Sequence, residues 1–153
     1  MDSLLENGLR LEQLLPLMQE FLEKGKSVTF SPRGVSMLPM LRQGRDTVTI
    51  SPISGNLKKY DLPLYRRDDG HFVLHRVVKV GETYACIGDN QFEVERGVRH
   101  DQMIGVVTSF CRDGKAYSVN DLRYRLYCGI WYHSRDLRHF YRRGIGWIRR
   151  RLK

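Results

Sequence analysis

The sequence predicts a mainly β domain, a curled antiparallel sheet or small barrel, with a short N-terminal helix before it and a basic helix after it. Three observations carry that expectation. Short apolar or alternating runs recur at 27–30, 47–50, 62–65, 71–80, 83–87, 104–110 and 116–119, separated by Gly, Pro, Asn and Asp. This is the spacing of strands and turns in a small all-β domain. Ahead of them Leu11, Leu14, Leu15, Met18, Phe21 and Leu22 repeat at three- and four-residue steps up to Gly25, the period of a helix with one buried face. Beyond Asp121 the helical period returns, with Leu122, Leu126, Ile130, Leu137 and Tyr141 near one face.

Pro16 falls inside the first helical pattern and either kinks it or opens its last and longest piece, because proline is tolerated only in a first turn. One short helix is too little for a helix-turn-helix DNA reader. In the tail, Gly144 and Gly146 interrupt the helical period before Trp147, Ile148 and the arginines 149–151. The expected division is an N-terminal helix at 1–26, a β-rich domain at 27–120 and a basic amphipathic tail at 121–153.

With 153 residues, 41% hydrophobic and 28% charged, the chain has the balance of one soluble domain, whose core needs neither disulfide nor structural metal. Cys86, Cys111 and Cys128 are odd in number and widely spaced, which suits reduced thiols. The first residues lack the basic start and apolar run of a secretory signal. No stretch approaches the roughly 18 to 20 apolar residues that span a bilayer. The expected location is therefore the cytoplasm, with the inner face of the membrane as a peripheral position. Of the net charge of +9, residues 121–153 hold +8, from ten Lys or Arg against two Asp, so the body is nearly neutral and the tail basic.

Three stretches can carry chemistry. Ser36 lies between Gly34 and Pro39 in Pro-Arg-Gly-Val-Ser-Met-Leu-Pro, where an interrupted backbone can expose a hydroxyl and turn amides toward an incoming carbonyl oxygen. Alone, such a serine reads as an ordinary turn residue. His75, followed by Arg76, interrupts the apolar run Phe72, Val73, Leu74, Val77, Val78. An imidazole buried there needs a hydrogen-bond partner, and a satisfied core histidine accounts for it as well as a functional one does. Gly88, Asp89 and Asn90 read as a turn, with Glu93 and Glu95 just beyond it.

Taken in order, these pieces resemble the superfamily of signal peptidases and self-cleaving, LexA-like repressors. The match includes Gly-x-Ser-Met-x-Pro around Ser36, Gly44 and Asp46 before one strand, Asp61 before the next, His75-Arg76, Gly88-Asp89-Asn90 and Ile104-Gly105-Val106-Val107. It spans roughly residues 27 to 110. The resemblance implies the signal-peptidase-like fold and a serine endopeptidase that cuts leader or signal-like peptides. His75-Arg76 places the chain beside the histidine branch, in which Ser36 is the nucleophile and His75 the general base. A neutral imidazole can take the serine proton near pH 7, whereas a lysine would first need its pKa lowered, and Lys79 is spaced as a solvated residue. An acid past the Gly-Asp-Asn turn orients the base in that branch. Here the position falls on Glu95, with Asp89 an equal alternative and Asp101 behind both. Gly34 and Met37 belong to the implied nucleophile and oxyanion loop. The chain departs from the pattern at Gly34, where some relatives carry a hydroxyl, at the inserted Arg45, at Lys59-Tyr60-Asp61, which lacks the usual glycine, and in having no evident membrane anchor.

Other readings compete. His71 and His75 share a strand face and could join Cys86 or Asp89 on a metal, but the paired spacing of structural zinc is missing, so no metal or cofactor is expected. A peptide-binding module without chemistry fits the same β-rich body. The arginine- and aromatic-rich tail could bind nucleic acid, could lie on an anionic membrane with Trp131 and Trp147 at the interface, or could pack on the body by its apolar face. The expected partners are a peptide or protein substrate and an anionic membrane surface met through 121–153, with nucleic acid not expected. On a histidine base, cleavage would rise with pH through about 6 to 7.

Overall fold

The structure is a computed structural model that describes residues 11–141. The expectations for Gly144, Gly146, Trp147 and the arginines 149–151 lie outside the described residues. Helix α1 runs Leu11–Glu23 and continues through Pro16. Its stop is local chemistry. Gly25 adopts φ 73°, its amide donates to Leu22 O and the Lys26 amide to Phe21 O, the paired bonds that close a helix on a left-handed glycine. Met18 and Leu22 are buried on the inner side, with Leu14 packed beside them.

Among the described residues nine strands follow, and all of their pairings are antiparallel. They are β1 (Val28–Phe30), β2 (Thr47–Ser51), β3 (Pro63–Arg66), β4 (Phe72–Leu74), β5 (Arg76–Val80), β6 (Tyr84–Ile87), β7 (Glu95–Val98), β8 (Met103–Arg112) and β9 (Lys115–Ser118). One sheet has the order β1-β2-β8-β3-β4, with β9 on β8, and the other is β5-β6-β7. The long strand β8 is the spine, since β2 pairs along one side while β3 and then β9 share the other. Alternation explains the inward set: Val48 and Ile50 of β2 are buried while Thr47, Thr49 and Ser51 are only partly so, as the two-residue period of a half-buried strand requires.

The fold is thus β-rich and antiparallel, with an N-terminal helix, but it is two open sheets and not one closed barrel. The chain passes from the first sheet to the second at His75, the single residue between β4 and β5. One core cluster, including Phe30, Met37, Leu41, Val107 and Phe110, lies under α1 and the first sheet. A second, including Tyr65, Val73, Val77, Cys86 and Val98, joins the two sheets. The three cysteines are free thiols. Among the described residues no helix is long and apolar enough to cross a membrane.

Helix α2 spans Leu122–His133, and helical turns resume over 135–141. It does not pack by its aliphatic side. Tyr124 and Cys128 are buried against the body while Leu122, Leu126 and Ile130 stay exposed. Trp131, expected at a membrane interface, is turned inward and donates from Nε1 to the Asp89 carbonyl at 2.7 Å. The reason is a buried ion pair that needs partners. Arg76 and Asp89 are 1% and 5% exposed and join through two bonds of 2.8 Å from Nε and Nη2. Arg76 Nη1 also donates to Tyr124 Oη at 2.9 Å and to the Tyr60 carbonyl, and Tyr127 Oη donates to Asp89 at 3.0 Å. Burial disfavours the Arg76 cation, but Asp89 outweighs it and holds the guanidinium charged. The aromatic face of α2 therefore completes the solvation of a charge pair that water cannot reach.

Removing one member of such a pair leaves the other charged and unpartnered. Arg76→Met should lower unfolding stability by about 3 to 5 kcal/mol in urea denaturation. The double variant Arg76→Met with Asp89→Leu should lose less than that single variant, because no lone charge remains.

Candidate functional site

A cavity of about 160 Å³ opens beside the junction of the two sheets, and its lining includes Gly34, Ser36, Met37, Arg67, His75 and Gln91. The turn that carries Ser36 sits on one side. Gly34 adopts φ 90°, a conformation that glycine takes without the cost other residues bear, and its amide donates to Gln43 Oε1 at 2.7 Å. The Leu38 amide closes back on the Val35 carbonyl and the Leu41 amide on that of Met37. Met37 is buried, so the turn is pinned into the core by the residue after Ser36. Ser36 itself is partly exposed.

The Gly-Asp-Asn turn after β6 holds this segment in place. The Asn90 amide donates to the Ser36 carbonyl at 2.8 Å, and Asn90 Nδ2 to the Val35 carbonyl at 3.1 Å. Gly88 lies between the serine and the histidine. A side-chain carbon there would stand 2.7 Å from the Ser36 carbonyl oxygen and 3.1 Å from His75 Nε2. Only hydrogen fits. The bareness of position 88 lets the Ser36 backbone and the His75 ring approach each other from either side of one residue.

His75 is 3% exposed. Its Nδ1 lies 3.4 Å from Tyr65 Oη, and Tyr65 donates to Glu95 Oε2 at 2.6 Å. A phenol proton committed to the carboxylate leaves the phenol oxygen to accept, so the matching tautomer carries its proton on Nδ1 and leaves the Nε2 lone pair toward Gly88 and the cavity. Glu95 Oε2 is itself 3.8 Å from Nδ1. Arg67 fixes the carboxylate with a fork of 2.7 Å and 2.6 Å bonds. Among the described residues the hydrogen bond of the His75 ring runs to Tyr65 and not to the Ser36 hydroxyl.

Burial is the main influence on the imidazole. It lowers the His75 pKa to about 4, against a smaller upward pull from Glu95 and a downward one from Arg67. The ring is neutral over the physiological range. Burial alone would raise the Glu95 carboxyl, but hydrogen bonds from Arg67 and Tyr65 outweigh it and hold the group below its ordinary value. Tyr65 is pushed well up by burial and by its bond to Glu95, so its hydroxyl keeps its proton.

The structure brings Ser36, His75, Gly34 and Met37 to one cavity and sets Glu95 behind the imidazole. Asp89, the alternative acid, has its carboxylate bonded to Arg76 and Tyr127. Asp101 pairs with Arg99. His71 is exposed and contacts Asp69, apart from the cavity lining. Cys86 is buried and its thiol is pushed up to about 12 by desolvation and then by Glu95. Asp46 is a buried partner of Arg42, and Asp61 accepts from the Lys58 amide in a turn. Lys79 is exposed on β5. Among the described residues no group of three or more His, Cys, Asp or Glu is placed to hold a metal ion.

Sequence reasoning missed Tyr65 and Arg67. No local pattern marked them, because the run 62–65 is buried throughout and a tyrosine there reads as core. No family model, curated protein or solved structure matches the chain.

The geometry fixes what a titration should read. By imidazole NMR, His75 should protonate with a midpoint near 4, well below the ordinary value of about 6.5. Its charged form should appear only as pH falls through that midpoint. A midpoint at the ordinary value would mean that the ring is solvated and the chain to Glu95 is not formed.

Proposed function

We propose that the protein is a serine endopeptidase of the signal-peptidase-like type, acting on leader or signal-like peptides through Ser36 and His75. The observation that carries this reading is the shared cavity, with a serine on a pinned turn facing a neutral, buried imidazole whose far nitrogen is tied through Tyr65 to Glu95. The ordered motifs around these residues add the resemblance already described.

In this reaction Ser36 Oγ attacks the scissile carbonyl as His75 Nε2 takes its proton. The imidazolium then forms with Nδ1–H directed at Tyr65 and the Glu95 charge close behind, which stabilises it as a positioned carboxylate does in other serine hydrolases. His75 returns the proton to the leaving amine. Water, activated by the same nitrogen, releases the acyl group and restores the serine. The direct bond from Ser36 to His75 forms as substrate closes the site, a tightening common to catalytic hydrogen bonds. Because Gln43 already engages the Gly34 amide, the Ser36 amide is the donor assigned to the developing oxyanion.

Substrate has a place to lie. Among the described residues strand β4 ends one side of the first sheet, and Phe72, Val73 and Leu74 line the cavity. An extended peptide added to that edge would run beside His75, with affinity from main-chain hydrogen bonds and selectivity from alternate side chains.

A peptide library incubated with the protein and read by mass spectrometry should yield discrete cuts, and Ser36→Ala should abolish them, with kcat/KM reduced by about 10⁴-fold or more. An intact library with the wild-type chain would end the peptidase reading. On the free enzyme, kcat/KM should rise as pH climbs through about 4 and stay level across 6 to 7 as far as His75 is concerned, lower than the window expected from an ordinary histidine, because burial has shifted the base.

Two further variants separate positioning from folding. Gly88→Ala must displace either the Ser36 carbonyl or the imidazole and should cost at least about 100-fold in kcat, since a 1 Å misplacement of reacting groups has that order of effect. Tyr65→Phe removes one hydrogen bond from a chain whose carboxylate remains. A loss of about tenfold in kcat, together with a displaced pH limb, is expected.

A further inference from the structure

The two sides of α2 are built for different neighbours. At about 100° per residue, Tyr124, Tyr127, Cys128 and Trp131 fall on one side, and Leu122, Leu126 and Ile130 fall opposite. The body consumes the first side through Arg76 and Asp89. The second side is left in water, with Leu122 71%, Leu126 55% and Ile130 69% exposed. The helical turns at 135–141 repeat the arrangement. There Arg138 stacks 3.5 Å from the Trp131 ring centre and His139 meets Phe92 edge-on at 4.4 Å, while Leu137, Phe140 and Tyr141 are 73%, 78% and 67% exposed.

Single exposed apolar residues need no explanation, but rows of them on elements anchored from behind mark a surface that meets something. Charge says what. Arg123 and Arg125 are exposed and, by the same helical advance, flank the Leu122–Leu126–Ile130 row on its two sides. The sequence from 121 to 153 carries +8 of the chain's +9. An aliphatic stripe between arginines suits a helix lying in an anionic bilayer surface, with leucines and isoleucine at the acyl boundary and guanidinium groups on the phosphates. Two copies meeting by this face would bring arginine rows of like charge together. Nucleic acid would pair with the arginines and leave the aliphatic row uncovered.

We infer that the outer face of residues 122–141 docks on an anionic lipid surface. The inference stands on the packing of α2 and does not depend on the peptidase chemistry. Docking leaves Tyr124, Tyr127 and Trp131 in place, because they occupy the opposite side of the helix.

The test is flotation of the full chain with vesicles of phosphatidylglycerol and phosphatidylcholine, and with vesicles of phosphatidylcholine alone. Binding should be at least about tenfold tighter to the anionic vesicles and should weaken as salt screens the arginines. The variant L122Q/L126Q/I130Q alters only exposed positions. It should keep the wild-type melting temperature and bind anionic vesicles at least about tenfold more weakly. R123Q/R125Q should reduce the preference for anionic over neutral vesicles. Failure to bind anionic vesicles would overturn the inference. So would wild-type binding by the triple glutamine variant, and so would a concentration-dependent dimer in sedimentation that this variant abolishes, since the face would then belong to a second copy.

Discussion

The buried pair of Arg76 and Asp89 is the constraint on which the rest of the structure depends. Each member follows a residue of the site, Arg76 after His75, which lines the cavity, and Asp89 after Gly88, which lies against the imidazole. Their two-pronged contact therefore fixes the start of β5 against the turn after β6, which aligns the imidazole with the glycine that must pass it. The same turn reaches on through Asn90 to the backbone of Ser36. Charges taken out of water are tolerated only when every remaining donor and acceptor finds a partner. Tyr60, Tyr124, Tyr127 and Cys128 supply those partners, so the requirement that orders the cavity also recruits α2.

A second polar chain runs at right angles to this in function. It links Arg67, Glu95, Tyr65 and His75 through successive hydrogen bonds. In the proposed reaction the intervening phenol has two effects. It sets the tautomer without placing a full negative charge in hydrogen-bond contact with the ring, and it leaves desolvation in command of the imidazole pKa. The base is then always deprotonated at neutral pH, and the carboxylate acts mainly once the imidazolium has formed.

How far these features were legible depends on where their information resides. Short apolar or alternating runs are local, so β2, β3, β6 and β8 fall close to the runs that predict them. Strand β7 is Glu-Arg-Gly-Val, three polar or bare residues before one apolar one. It pairs because β6 offers an edge, which no window of its own sequence reports. The run 71–80 read as one strand but is two, because His75 leaves the ladder to face the cavity. Ser36 and His75 follow from motif order, which leaves Glu95 and Asp89 level as the acid until the structure shows Asp89 bonded to Arg76. Tyr65 does not, since a tyrosine in an apolar strand looks like core until its hydroxyl is seen between two titratable groups. The tail misled for a related reason: its aliphatic row satisfies the helical period, yet the packing face is chosen by phenols and an indole that answer buried charge 38 to 48 positions earlier in the chain.

The engagement of Asp89 by Tyr127 and Trp131 also bears on how the molecule can be divided. A chain ended after Asn120 would look like a trimmed β domain on paper, yet its interior would hold a guanidinium stripped of two ligands and an open trough where the indole had lain. Solvent would flood to Arg76, and the loop that braces the serine turn would lose its backing. Anyone dissecting this protein into working fragments should treat the stretch through Trp131 as belonging to the body.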